Sequence, residues 1–326
     1  MYPKDTLQIL GLSINGDLYL ETPELKKFMK NYDWVLDFTA SPAFQNNYIK
    51  QGLEINNKVA KGFLTDEGYI GGLLIEGEER NPRVDDLHIL MQAQYLEKDY
   101  ISNWLKREHR RNKKESVLVN VGVGCNSETT VVSDDLISLH SASFVRGIKG
   151  ASNKEGQICL TKINRKEFEV TSEKLTISPL TILHDINSGQ WEIRMKNGIE
   201  KLLKSEMGKA MPNETGGVFI GLVNYKTKTI HVTDVVLAPP DSEASEGCFI
   251  RGIDGLREQV EEHKKKSGQT FGYIGEWHSH PHGPMGASLK DVQTMSKFKS
   301  DYVRNNYSIP VFMIIVTPAG LISYVY

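Results

Sequence analysis

An α/β protein of two domains is what the sequence predicts, and three observations lead there. Over the first ~150 residues, runs of strand character alternate with stretches of helical periodicity, as in strands joined by helices. From about Gln157 the texture changes to shorter strands. The 326 residues exceed one typical domain of roughly 100–200 residues and leave each half enough chain to bury a core.

In chain order, Asp33-Trp34-Val35-Leu36-Asp37-Phe38-Thr39 reads as a buried strand with polar ends. Pro42 to Ile55 mixes apolar and polar residues at helical spacing, and Lys58 to Glu76 is strand-rich. Residues 84–108 read as one helix, with Leu87, Ile89, Leu90, Met91, Tyr95, Leu96, Tyr100 and Leu105 to bury. It runs into Lys106-Arg107-Glu108-His109-Arg110-Arg111-Asn112-Lys113-Lys114, a solvated end whose cations suit the C-terminal dipole. Ser116 to Val121 reads as a strand leading into Gly122-Val123-Gly124-Cys125. Gly147 to Gly156 is polar and glycine-rich, a candidate boundary. The change of texture sets the division near residue 165, giving domains 1–165 and 166–326. In the second, strands are expected at Trp191–Met195, Gly217–Asn224, Thr229–Leu237, Tyr273–His278, Val311–Val316 and Leu321–Val325. Helices are expected at Asn197–Lys209, Arg251–Lys266 and Leu289–Phe298, and a hairpin turn at Lys226-Thr227-Lys228.

Composition narrows the function. Lys+Arg number 39 against 41 Asp+Glu, a net charge of −2, without the basic excess of a nucleic-acid binder. Three cysteines, Cys125, Cys159 and Cys248, share no C-x-x-C spacing, as expected in a reduced compartment. The first residues show no signal-peptide pattern, and no stretch nears ~18 uncharged apolar residues. The expectation is a soluble, cytoplasmic protein with neither a nucleic acid nor a membrane as partner.

The chemistry is concentrated in Glu276-Trp277-His278-Ser279-His280-Pro281, continuing through His282-Gly283-Pro284-Met285-Gly286-Ala287 to Ser288 and Asp291. Residues i and i+2 of a strand point the same way, so His278 and His280 can offer imidazoles to one ion. A tight Gly/Pro loop can return Asp291, on the first turn of the next helix, to the same point. Two imidazoles and a carboxylate leave a tetrahedral zinc one open position, the ligand count of a catalytic rather than a structural site. Ser288-Leu-Lys-Asp291 also fits a capping box, a role compatible with ligation by Asp291. The string His-x-His-Pro-x6-Ser-x2-Asp has a chance probability on the order of one in ten thousand or less at ordinary composition.

This string resembles the signature of the JAMM (JAB1/MPN+) metalloproteases, across roughly the last 140 residues. The resemblance implies an α-β-α domain with a cytidine-deaminase-like sheet. It also implies an upstream catalytic glutamate on a strand facing the metal. Pro212-Asn213-Glu214-Thr215-Gly216-Gly217-Val218-Phe219-Ile220-Gly221 is similar to that Glu-x-Gly-Gly strand, so Glu214 is the expected catalytic glutamate. Glu276, alternating with the two histidines, is its rival, or else pairs with a base such as Arg251. In such a site zinc activates water and polarises the scissile carbonyl. Glu214 would act as general base and then acid. Ser288, by the same resemblance, would donate to the oxyanion. Cys248 is expected to be a packed loop residue rather than a nucleophile. The implied reaction is hydrolysis of the amide or isopeptide bond after the C-terminus of a ubiquitin-like protein. Only about 20 residues separate Asp291 from the closing strands, which suits a compact prokaryotic-type domain. The loop Ala238–Gly247 and the helix after it occupy the place where family members clamp the substrate tail.

Asp33-Trp-Val-Leu-Asp37-Phe-Thr-Ala-Ser41 is similar to the aspartate-bearing strand of ThiF-like ubiquitin-activating adenylyltransferases, and Val119–Asn126 to a later strand and loop of that fold. The likeness covers about residues 30–150. It lacks the glycine-rich nucleotide loop such enzymes place upstream, and Gly122-x-Gly124 has Ser127 where a third glycine belongs. The expectation is the C-terminal half of a ThiF-like fold, either truncated in this chain or degenerate, non-adenylating, fused to a JAMM enzyme of a prokaryotic ubiquitin-like system, some of which serve antiviral defence. Two rivals are an adenylyltransferase with an accessory protease and a non-catalytic MPN scaffold. Against the scaffold, every metal ligand is present.

Overall fold

The computed structural model describes residues 32–39, 41–50, 58–114, 132–152, 154–164, 166–167, 169–283, 285–307 and 309–326. The strand expected at Ser116–Val121, Gly122, Gly124, Cys125 and the last residues of the Pro42–Ile55 helix lie outside them.

The first half builds a five-stranded sheet in the order β1-β2-β3-β4-β5. Strand β1 (Trp34–Asp37) is followed by α1 (Pro42–Lys50), which returns the chain so that β2 (Lys58–Thr65) lies parallel to β1. Antiparallel β3 (Ile70–Ile75) comes next, then helices α2 (Val84–Gln92), α3 (Asp99–Lys114) and α4 (Asp134–Lys149). The antiparallel pair β4 (Gly156–Asn164) and β5 (Glu169–Ile177) completes the sheet, so strands on both sides of the boundary expected near residue 165 belong to it. As an edge strand, β1 is not buried throughout: Leu36 is 47% exposed.

The single helix expected over 84–108 is two. A 3-10 turn at Ala93–Leu96 separates α2 from α3, and Asp99 opens α3 with a charge suited to the helix dipole. The break lets both helices bury apolar faces. Leu87, Leu90, Met91 and Tyr95 before the turn and Ile101, Trp104 and Leu105 after it all enter one buried cluster, while Leu96 turns to solvent.

The second half builds a seven-stranded sheet, β14-β13-β12-β8-β9-β7-β6. It comprises β6 (Thr181–His184), β7 (Glu192–Met195), α5 (Ile199–Ala210), β8 (Gly216–Asn224) and β9 (Thr229–Leu237). A small hairpin, β10 (Glu243–Ser245) with β11 (Cys248–Ile250), precedes α6 (Leu256–Lys266), β12 (Gly272–Ser279), α7 (Leu289–Arg304), β13 (Phe312–Thr317) and β14 (Gly320–Val325). The β8–β9 turn forms as expected, with the Asn224 side chain accepting from the Lys226 and Thr227 amides. The helix expected from Arg251 starts only at Leu256, after Gly255 at φ +69°, which frees Arg251 to reach β12.

Period-two alternation in β8 gives the sheet two buried faces. Phe219 packs with Leu203 of α5, Trp277, Phe312 and Ile314 on one side. Val218 and Ile220 pack on the other, with Leu74, Leu87, Trp104 and Ile158 of the first half. The two halves thus share a core.

A buried ion network crosses the same seam. Arg194 of β7 forks onto Asp86 of α2, Nε at 2.7 and 2.8 Å. Arg83 pairs with Asp85 at 2.9 Å and with Glu192 of β7 at 2.8 Å. His231 of β9 lies between the carboxylates, 3.2 Å from Asp86 and 3.5 Å from Asp85. Burial opposes its charge, but hydrogen bonds to Asp85 and Asp86 prevail and hold its pKa above the ordinary histidine value. These donors lie close enough to hold an ion, yet guanidinium groups already occupy both carboxylates. With His231 protonated, three cations face three anions.

Candidate metal centre and active site

The site forms where β12 ends. His278 is its last residue but one, and His280 follows in the extension, held by its amide to the Val316 carbonyl of β13 at 2.8 Å. Their Nε2 atoms lie 3.0 Å apart. Asp291, on the first turn of α7, brings Oδ1 to 3.2 Å from His278 Nε2 and Oδ2 to 3.4 Å from His280 Nε2. All three side chains are wholly or partly buried, and their donor atoms fall within 4.8 Å of one another, close enough to hold an ion.

These donors fit zinc. Ligand bonds of ~2.0–2.1 Å at tetrahedral angles place neighbouring donor atoms ~3.3 Å apart, close to the separations found here. Two imidazole nitrogens and the carboxylate oxygens converge on one point, a donor set that suits a divalent cation once the imidazoles are neutral.

Ser288 holds the aspartate. It caps α7, its hydroxyl and amide donating to Asp291 Oδ2 at 2.6 and 2.7 Å while its oxygen accepts from the Asp291 amide. Burial pushes the Asp291 carboxyl up, but hydrogen bonds from His278 and His280 and from Ser288 outweigh it and keep the group ionised. The Ser288 hydroxyl therefore points at the carboxylate.

Glu214 lies two residues before β8 rather than within a strand, its Oε1 3.9 Å from His280 Nε2. Its backbone is pinned from two sides. Its own amide donates to the Ser245 carbonyl of β10, and the next residue, Thr215, exchanges hydrogen bonds with Ser279 at 2.7 and 2.9 Å. Gly216 follows because nothing larger fits, since a Cβ there would sit 2.5 Å from the Trp277 carbonyl and 2.4 Å from the Phe249 ring. Burial pushes the Glu214 carboxyl up, and the two histidines partly offset it.

Glu276 is committed elsewhere. Arg251 donates to both of its oxygens, at 2.8 and 3.0 Å, and Tyr273 adds a hydroxyl at 3.1 Å. With the metal-site residues this pair lines a cleft of about 360 Å³. The cleft also exposes groups that the motif did not announce: Phe249 of β11, Lys290 and Phe298 of α7, and Met313 of β13. Cys248 lies on strand β11 rather than in a loop, with Lys290 Nζ 2.6 Å from its sulfur. A strand-long alternation around residues 248–250 was the one available signal, and it is only three residues long.

Residues 200–323 match the family of prokaryotic homologues of the JAB domain. A CD-NTase/cGAS isopeptidase from Enterobacter hormaechei subsp. hoffmannii is 32% identical over 146 residues, which is 44% of this chain and 75% of that protein. The chain belongs to the prokaryotic JAB family. It is a JAB-domain isopeptidase homologue, an enzyme of metalloprotease type. A solution structure of a Desulfitobacterium hafniense protein overlaps 41% of this chain and 82% of its own at 21% identity, with a TM-score of 0.27. The JAB match takes in Glu214, His278, His280, Ser288 and Asp291 and begins within α5. Among the described residues, no helix is long and apolar enough to cross a membrane.

Proposed function

We propose that the chain hydrolyses the amide or isopeptide bond after the C-terminus of a ubiquitin-like protein, with zinc held by His278, His280 and Asp291. The observation that carries this reading is the meeting of three candidate ligand side chains with a pinned, buried glutamate in one cleft. Held by these three side chains, zinc would lower the pKa of a bound water towards 7 and polarise the scissile carbonyl. Glu214 takes the proton of the attacking water and returns it to the leaving amine. Ser288 orients Asp291, and its hydroxyl, which lines the cleft, turns to the developing oxyanion. Glu276, neutralised by Arg251, shapes the cleft wall. The relative's name points to a CD-NTase or cGAS as the conjugated protein, a substrate class we extend to this chain, with antiviral defence as the setting. The β1–α1–β2 parallel unit, ending β1 on buried Asp37, supports reading the first half as a remnant of a ThiF-like fold.

The test is an activity assay on a ubiquitin-like fusion. Chelation should abolish cleavage and added zinc restore it, whereas thiol alkylation should leave most of it. Sensitivity to alkylation with indifference to chelator would overturn the mechanism.

A further inference from the structure

A second cleft, of about 370 Å³, opens in the first half, between α3 and the adjoining ends of β3 and β4. Ile70 and Ile163 form its buried floor, and Tyr69 and Tyr100 its aromatic walls. Arg107, Lys162 and Lys166 bring three cations to it, and Asn103 and Asn164 two amides. The nearby acids are engaged. Glu173 takes Lys98 and the Tyr100 hydroxyl, and Glu167 accepts from the Asn164 amide. Tyr100 is thereby fixed, and Lys162 lies over its ring, 5.4 Å from the centroid. The cationic run of α3 continues the surface, since Tyr100, Asn103, Arg107 and Arg110, at i, i+3, i+7 and i+10, share one helix face.

We propose that this cleft binds a mononucleotide. Each part of that ligand has a counterpart. The three cations suit a phosphate, the tyrosines suit a planar base, and the Asn103 amide suits its polar edge. Size argues for a small molecule over a strand, because the volume lies at the low end of ligand pockets. The cleft is separate from the metal centre, and no chemical step is assigned to it.

Calorimetric titration of the full chain at low salt tests this, with AMP, GMP, CMP and UMP, the matching nucleosides, inorganic phosphate and a short single-stranded oligonucleotide. The expected result is saturable binding of at least one nucleotide, one per chain, at least tenfold tighter than its nucleoside or phosphate. The exposed pair Lys162→Met and Lys166→Met should weaken it at least tenfold with an unchanged melting temperature. Tyr69→Leu should weaken the nucleotide but not phosphate, and Glu214→Gln should change nothing. Four outcomes overturn the proposal. These are no saturable binding below millimolar, phosphate binding as well as the nucleotide, full binding in the double lysine variant, and an oligonucleotide that outcompetes every mononucleotide.

Discussion

Ser288 and Asp291 show how one pair of residues serves structure and chemistry together. The serine starts α7 and, with the same atoms, aims the carboxylate at the two imidazoles. Ser288→Ala should cost about 1 kcal/mol of stability through the lost cap, and metal affinity should fall roughly 10–100-fold through the lost outer partner. Chemical denaturation and competition with a chromophoric chelator measure the two effects, and unchanged affinity would contradict the orienting role. The histidines and the aspartate were legible in sequence because strand and first-turn geometry bring residues only 13 apart to one point. Glu214 lies 64 positions before His278 and was reachable only through its resemblance to the Glu-x-Gly-Gly pattern. No local rule brings it there; the Thr215–Ser279 and Glu214–Ser245 hydrogen bonds do. Phe249, Lys290, Phe298 and Met313 were invisible, since their places depend on how α7 and the β10–β11 hairpin close over the sheet.

Among the elements, α2, β7 and β9 are joined by the network of Arg83, Asp85, Asp86, Glu192, Arg194 and His231. Because its carboxylate partners raise the folded-state pKa of His231 above the ordinary ~6.5, its contribution is complete below that ordinary value. It is lost as pH rises through the raised folded value, leaving three anions against two cations in a buried seam. Stability of the metal-loaded protein should therefore decline on the alkaline side, and His231→Gln should flatten the decline while lowering stability near pH 6. Denaturant midpoints from pH 6 to 9 measure this, and parallel curves for the two proteins would contradict it. Element boundaries were less legible than element types. The turn at Ala93–Leu96 and the late start of α6 both arise where tertiary packing overrides helical periodicity, and no local breaker marks the first of them.

At the scale of the molecule, the two sheets do not stand apart. Val218, Ile220, Val236 and Phe271 of the second half lie in one cluster with Leu74, Leu87, Trp104 and Ile158 of the first. A chain beginning at residue 179 would expose that face, and an apolar face of this kind leads to association in solution. It should be recovered as aggregate, or as a species with low cooperativity of unfolding, and a soluble monomer melting like the full chain would contradict the shared core. The texture of the sequence pointed correctly to a mixed α/β chain. The docking of one sheet against the other was not legible, because a buried strand reads the same whichever partner covers it.

The central claim is that Glu214 moves the proton while His278, His280 and Asp291 hold the metal. Zinc content and cleavage of a ubiquitin-like fusion, measured together on Glu214→Gln, Glu276→Gln, His278→Ala and Asp291→Ala, test it most directly. Glu214→Gln should keep its zinc and lose roughly 10²–10⁴-fold in rate, the usual worth of a general base. His278→Ala and Asp291→Ala should lose zinc and activity together. Glu276→Gln should lose less activity than Glu214→Gln. Normal turnover by Glu214→Gln beside an inactive, zinc-loaded Glu276→Gln would contradict the account.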